Sequence, residues 1–137
     1  MLYASKKVIY GLKAVFEIAR RRLNDVVTIE EIAREQDIPK RFLEGILNQL
    51  RRGGFVESKQ GKTGGYRLAR RPDEISMQSV LEFLDGSEAP MSDEPLFRPV
   101  WARAEKALSE VFGKMSFQDL LDEHERQKGK AADHYVI

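Results

Sequence analysis

Six polar residues recur within thirteen positions of this chain: Lys40, Arg41, Glu44, Asn48, Arg51 and Arg52. Between them Leu43, Ile46, Leu47 and Leu50 mark one apolar stripe at helical spacing, so the six belong to the other sides of the same helix. Ammonium, guanidinium, amide and carboxylate groups on one rigid surface can hydrogen-bond to base edges and neutralise phosphates. Residues near the start of such a helix are suited to reading bases, which assigns Lys40, Arg41 and Glu44 to readout and Asn48, Arg51 and Arg52 to backbone contact. Close behind follows Lys59-Gln60-Gly61-Lys62-Thr63-Gly64-Gly65, in which three glycines permit close approach to a sugar-phosphate wall and two lysines supply charge.

The elements that must position these groups are legible around them. Thr28 is a helix cap, with Glu31 at capping-box distance, and predicts a helix over 28–36. Asp37-Ile38-Pro39 breaks that helix and Pro39 suits the first turn of the next, expected over 39–52. Gly53-Gly54 ends it, and residues 55–58 and 66–68 alternate as two strands joined by the basic loop. Two short helices followed by a basic hairpin define a winged helix-turn-helix, so the chain is expected to bind double-stranded DNA.

Upstream, Ile9, Leu12, Phe16, Ala19 and Leu23 keep helical spacing and predict a first helix over 5–23, with Arg20, Arg21 and Arg22 favourably placed in its last turn and Asn24-Asp25 as a turn. Downstream, 76–84 reads as a short helix with Val80, Leu81, Phe83 and Leu84 available for packing, stopped by Gly86; 87–99 holds three prolines and reads as a loop. Trp101, Ala104, Leu108, Val111, Phe112 and Met115 form a further apolar stripe, and a capping spacing from Ser116 to Asp119 opens another helix. So long a stripe has few elements of its own chain to cover it, which predicts a homodimer; the alternative is packing against the first helix. A two-fold dimer presents two reading helices to a palindromic promoter site. The fold class expected is mainly α with a small β-hairpin wing, divided into a winged helix-turn-helix (1–72), a short helix and acidic loop (73–99), dimerisation helices (100–126) and a tail (127–137).

Charge follows the same division. Residues 1–72 hold 16 Lys and Arg against 8 Asp and Glu, a net +8, while 73–137 hold 7 against 14, a net −7. A basic front and an acidic rear suit a phosphate-facing module carried on an assembly element. The chain has no cysteine, which excludes thiolate ligation of zinc or iron–sulfur clusters and disulfide sensing. His124 and His134, ten residues apart in a polar tail, are read as exposed rather than metal-binding. No cofactor is expected, and no nucleophile, base and acid set suggests an enzyme. No apolar run reaches about 18 residues and charges run through the first twenty positions, which implies a soluble, cytoplasmic protein.

The residues also resemble the Rrf family of bacterial winged-helix regulators across nearly the whole chain. The marks are Ser5-Lys6 with Tyr10, Ile32-Ala33, Ile38-Pro39, Phe42-Leu43-Glu44, Ile46-Leu47, Leu50-Arg51, Gly54 and Gly64-Gly65-Tyr66. That resemblance implies a dimeric repressor, with Ser5, Lys6 and Tyr10 near phosphates, 39–44 in the major groove, and Lys59 to Tyr66 in the wing. Gln60 departs from an arginine common in the family. The iron–sulfur members carry three cysteines within the segment matching 86–99, and this chain has none. It is thus similar to the cysteine-free CymR type, which controls cysteine metabolism through a complex with cysteine synthase.

The segment Tyr135-Val136-Ile137 is apolar after a polar stretch, 123–133, expected to be flexible. It resembles the apolar ends that serine acetyltransferases insert into cysteine synthase, and is the candidate partner-binding tail, against packing on the dimer body. Two other readings remain: a repressor answering to a small ligand near Phe97 and Trp101, and a winged helix that serves only protein interaction.

Overall fold

The computed structural model describes residues 5–21, 25–62, 64–86 and 94–135, the last four by their backbone alone. Among the described residues six helices and one hairpin follow in the order α1 (Lys6–Ala19), α2 (Ile29–Gln36), α3 (Lys40–Arg52), β1 (Val56–Lys59), β2 (Gly65–Leu68), α4 (Met77–Asp85), α5 (Arg98–Gly113) and α6 (Phe117–Tyr135), with a 3-10 turn at Pro72–Glu74. The expected class, mainly helical with a hairpin wing, is what the chain adopts.

Helix starts follow the hydroxyl caps. The Val8 N–H donates to Ser5 Oγ, the Glu31 N–H to Thr28 Oγ1 and the Ser79 N–H to Ser76 Oγ, each satisfying a donor that the first turn leaves open. Ser116 and Asp119 complete a reciprocal box, with Ser116 N–H donating to Asp119 Oδ2 at 2.9 Å and Asp119 N–H to Ser116 Oγ at 3.1 Å. Asp37 ends α2 in the left-handed region at φ 53°, a conformation that aspartate tolerates, and so makes the sharp turn between α2 and α3.

The core gathers around α1, which packs against α2, α3, α4, α6 and β2. Val8, Val15 and Ile18 belong to one buried cluster with Ile32, Leu43, Leu47, Leu50, Val80, Leu81, Leu84 and Phe117. A Cβ on Gly11 would strike Leu84, so glycine there sets how closely α4 approaches α1. The hairpin is antiparallel, pairing Val56 with Leu68 and Lys59 with Gly65. Tyr66 exchanges both backbone hydrogen bonds with Val27 at 2.8 and 2.9 Å, which fastens the wing to the strand-like segment before α2.

Several expectations are corrected. α1 stops at Ala19, so Arg20 and Arg21 lie beyond its last turn; Arg22, Leu23 and Asn24 fall outside the described residues. Its buried face is Val8, Gly11, Ala14, Val15, Glu17, Ile18 and Ala19, whereas Ile9 is 43% exposed and Leu12 and Phe16 pack half-buried at the edge of the core. A helix covered by four others buries a broader face than a single spacing of three and four picks out. Residues 123–133 are helical within α6, since i,i+3 pairs such as Glu123 with Arg126 and Glu125 with Lys128 support a polar helix. No break falls at residue 126. The acidic loop is shorter than expected, because α5 opens at Arg98 with Pro99 in its first turn; 87–93 lie outside the described residues. Among the described residues no helix is long and apolar enough to cross a membrane.

α5 packs chiefly on α4. None of its residues is buried: Trp101, Ala104, Leu108 and Phe112 are half-covered and Val111 is 60% exposed, with Met115 half-covered just beyond the helix. Phe112 leans on the core of its own chain. The Trp101 Nε1 is buried without a partner in the single chain.

Candidate nucleic-acid interface

α3 turns Leu43, Ile46, Leu47 and Leu50 inward and leaves Lys40, Arg41, Glu44, Asn48, Arg51 and Arg52 exposed, which is the division read from their spacing. Pro39 caps its start and is itself exposed. Not all six are equally available. Lys40 Nζ donates to Glu30 Oε1 at 2.8 Å, tying the first residue of α3 to α2. That hydrogen bond holds the Glu30 carboxyl below its ordinary value and raises the Lys40 ammonium above its own, so both remain charged across the neutral range. Arg51 donates to Asn48 Oδ1 at 2.7 Å. Arg41 lies over the Phe42 ring, 4.8 Å from its centroid. Glu44 and Arg52 are exposed as well.

The wing carries Lys59, Gln60 and Lys62, all exposed; Thr63 lies outside the described residues. Glu57 and Arg67 face each other across the strands, with Arg67 Nε donating at 3.0 Å, so two charges near the wing compensate one another. Gly64 and Gly65 leave no room for a side chain: a Cβ would collide with the Lys59 carbonyl at one and the Val27 carbonyl at the other. Tyr66 is half-buried and packs against the core.

Near the amino end Ser5 and Lys6 are exposed, and the Tyr10 ring stacks on Phe42 with centroids 6.2 Å apart. Ser5 and Thr28 both act as helix caps. Together the start of α1 and the flank of α3 enclose a groove of about 530 Å³, with Lys6, Lys7 and Arg52 on its rim and Tyr10, Phe42 and Ile46 along its wall. Lys7 was absent from the residues picked out by sequence, and Phe42 entered there only through the family resemblance, within 39–44.

One cluster escaped the sequence altogether. Glu17 is 1% exposed and accepts from Arg20 at 2.9 Å, Arg21 at 3.2 Å and Gln36 at 2.8 Å. It joins the end of α1 to the end of α2. His124 is also not exposed as expected: its ring meets the edge of Phe16 at 5.4 Å.

A helical pair with a basic hairpin behind it defines the class, a winged helix-turn-helix regulator. The Rrf2 family of transcriptional regulators, described as iron-dependent, matches residues 4–123, and the chain belongs to it. It is 43% identical over 90 residues to an rrf2-like HTH-type regulator of Rhodobacter capsulatus, a match spanning 64% of this chain and 60% of that one. With the HTH-type transcriptional regulator CymR of Bacillus subtilis it shares 31% identity over 120 residues, 85% of this chain and 87% of the relative. The solved structure of that protein, the global cysteine regulator, superposes with a TM-score of 0.78 over 90% of this chain and 98% of its own. IscR of T. potens superposes with a TM-score of 0.82 at 32% identity, over 92% and 90% of the two chains. The chain is a transcriptional regulator of the Rrf2 family. Its donor set does not fit a thiolate-held iron–sulfur cluster, because it has no cysteine; among the described residues no three His, Asp or Glu come together to hold an ion.

Proposed function

We propose that the chain is a homodimeric repressor that grips palindromic promoter DNA with α3 in the major groove and the 59–66 hairpin against the adjacent backbone. The observation that carries this reading is the joint exposure of Arg41, Glu44, Arg51 and Arg52 on α3 with Lys59 and Lys62 on the hairpin. Lys40, Asn48, Ser5, Lys6, Tyr10, Thr28, Pro39, Gln60, Thr63, Gly64, Gly65 and Tyr66 complete the proposed surface. Each phosphate contacted releases counterions, so the logarithm of affinity falls against the logarithm of salt with a slope of about −0.9 per phosphate. Changing Arg51, Arg52, Lys59 and Lys62 to alanine flattens that slope. A slope unchanged by all four substitutions would place the DNA elsewhere.

The signal we assign is cysteine status, read through a complex with cysteine synthase that takes up Tyr135-Val136-Ile137. Support comes from the likeness to a global cysteine regulator along 98% of that protein's length. Calorimetry of the full chain and of a form ending at His134 against cysteine synthase tests it. Binding lost with the three residues supports the complex; no binding by either form moves the signal to a small ligand.

A further inference from the structure

Arg41 is exposed in the first turn of α3, with its guanidinium over the Phe42 ring. Neighbouring cations are already engaged: Lys40 with Glu30, Arg51 with Asn48 and, on the wing, Arg67 with Glu57. Among the described residues no oxygen accepts an N–H of Arg41, and its contact is the aromatic face alone. Glu44, three residues on and at a spacing that suits a helical ion pair, does not hold it either.

Arg70 makes the same kind of stack over Phe55, 5.0 Å from its centroid, but it also donates to the Gly53 carbonyl at 3.4 Å and so ties two segments together. Arg41 makes no such tie. A stacked guanidinium uses its face and leaves its planar edge of N–H donors open. Phe42 is 47% exposed and stands outside the buried cluster. Its ring is set from another element, by Tyr10 of α1, with centroids 6.2 Å apart and planes inclined by 29°. The order Tyr10, Phe42, Arg41 therefore runs from the body of the domain to an open donor edge at the start of α3.

We propose that Phe42 is a positioning residue for base readout: braced by Tyr10, its ring holds Arg41 so that the guanidinium edge donates to N7 and O6 of one guanine in each half-site. The proposal rests on the DNA-binding reading above. Arginine matches those two acceptors with two parallel N–H groups, which makes guanine the base it suits. A side chain already held in place loses less freedom on binding than one that moves freely in water. The stack on Phe42 supplies that restraint without occupying the donors.

The experiment selects a preferred duplex with the full chain, then replaces its guanines one at a time by 7-deazaguanine, in which a carbon stands in place of the N7 acceptor. At one guanine in each half-site the affinity falls about tenfold, the worth of one hydrogen bond from a charged donor. R41A shows no such preference. F42L melts within about 2 °C of the parent, because the side chain is half exposed. It nevertheless binds the guanine duplex about fourfold more weakly per half-site, and its preference for guanine over 7-deazaguanine shrinks to about threefold. F42W, which keeps an aromatic face, retains both. Added to R41A, F42L brings no further loss, since Phe42 acts through Arg41. A Phe42 that served packing alone would weaken both duplexes alike and leave the preference untouched. That result, or a selected duplex in which no guanine is sensitive, overturns the proposal while the DNA-binding reading stands. Should the parent chain show no salt-sensitive duplex binding at all, the DNA-binding reading itself fails and the positioning role with it.

Discussion

At the scale of single residues, two carboxylates divide the work that the sequence could not apportion. Glu17 and Glu30 look alike in the chain, yet one is sealed in the body with three donors and the other meets Lys40 in solvent. Removing Glu17 takes the acceptor from the Gln36 amide and from two partly exposed guanidiniums, and E17A is expected to cost about 2 kcal/mol of unfolding free energy in a denaturant titration. E17Q, which keeps an acceptor oxygen, costs less; a loss below about 0.5 kcal/mol for E17A would mean the cluster holds nothing together. Glu30 matters to binding rather than to stability, because exposed pairs contribute little. Its lowered pKa means that what the pair contributes is present above the ordinary carboxyl value of 4.5 and is lost as pH falls through the lowered one; the raised Lys40 loses its share only as pH climbs beyond 10.5. At neutral pH the pair is intact, and E30A, which removes the acceptor as well as the charge, frees Lys40. The salt slope of DNA binding then steepens by about 0.9 per subunit if Lys40 reaches a phosphate, whereas an unchanged slope in fluorescence anisotropy would keep Lys40 off the backbone.

At the scale of elements, what the sequence revealed follows from local rules. Hydroxyl caps and the Asp37-Ile38-Pro39 break placed α2 and α3 to within a residue, because helix ends are decided by neighbours in the chain. The face of α1 was misjudged because five separate elements, four helices and β2, cover it, and partners far away in sequence leave no mark on its spacing. The outward set on α3 was legible, since an apolar stripe defines its own complement; the Glu30 to Lys40 tie and the Tyr10 to Phe42 stack were not, because each joins residues from different helices. The wing depends on a similar long-range tie. A Cβ on Gly65 would lie 2.5 Å from the Val27 carbonyl oxygen, the acceptor of the Tyr66 N–H. G65A is therefore expected to lose about 1–2 kcal/mol, and hydrogen exchange at the Tyr66 amide is the direct readout. Faster exchange there, with α3 amides unaltered, shows the hairpin coming loose from the body; an unaltered Tyr66 rate would mean the backbone absorbs the clash.

At the scale of the whole molecule, the basic half and the acidic half have opposite needs. The first 72 residues, at +8, attract phosphates, while the remaining 65, at −7, are held off the duplex, and any contact between two copies through them has to be apolar rather than electrostatic. On that rear half α5 has no buried residue within its own chain, and Phe97, Val100 and Val111 are each about half exposed or more. Apolar exposure along one helix is costly in water and is relieved when two such helices meet about a two-fold axis. Leu108 lies within this stripe and supports no core of its own subunit, so L108E leaves the fold standing. Sedimentation is expected to show the parent chain as a dimer and L108E as a monomer with the same helical circular dichroism. On a palindromic duplex the monomer loses the gain of holding two half-sites at once, and affinity drops by about 100-fold, while a single half-site is bound as before. A dimer that survives L108E would put the two-fold axis on another face, and the spacing of the two reading helices would have to be sought there.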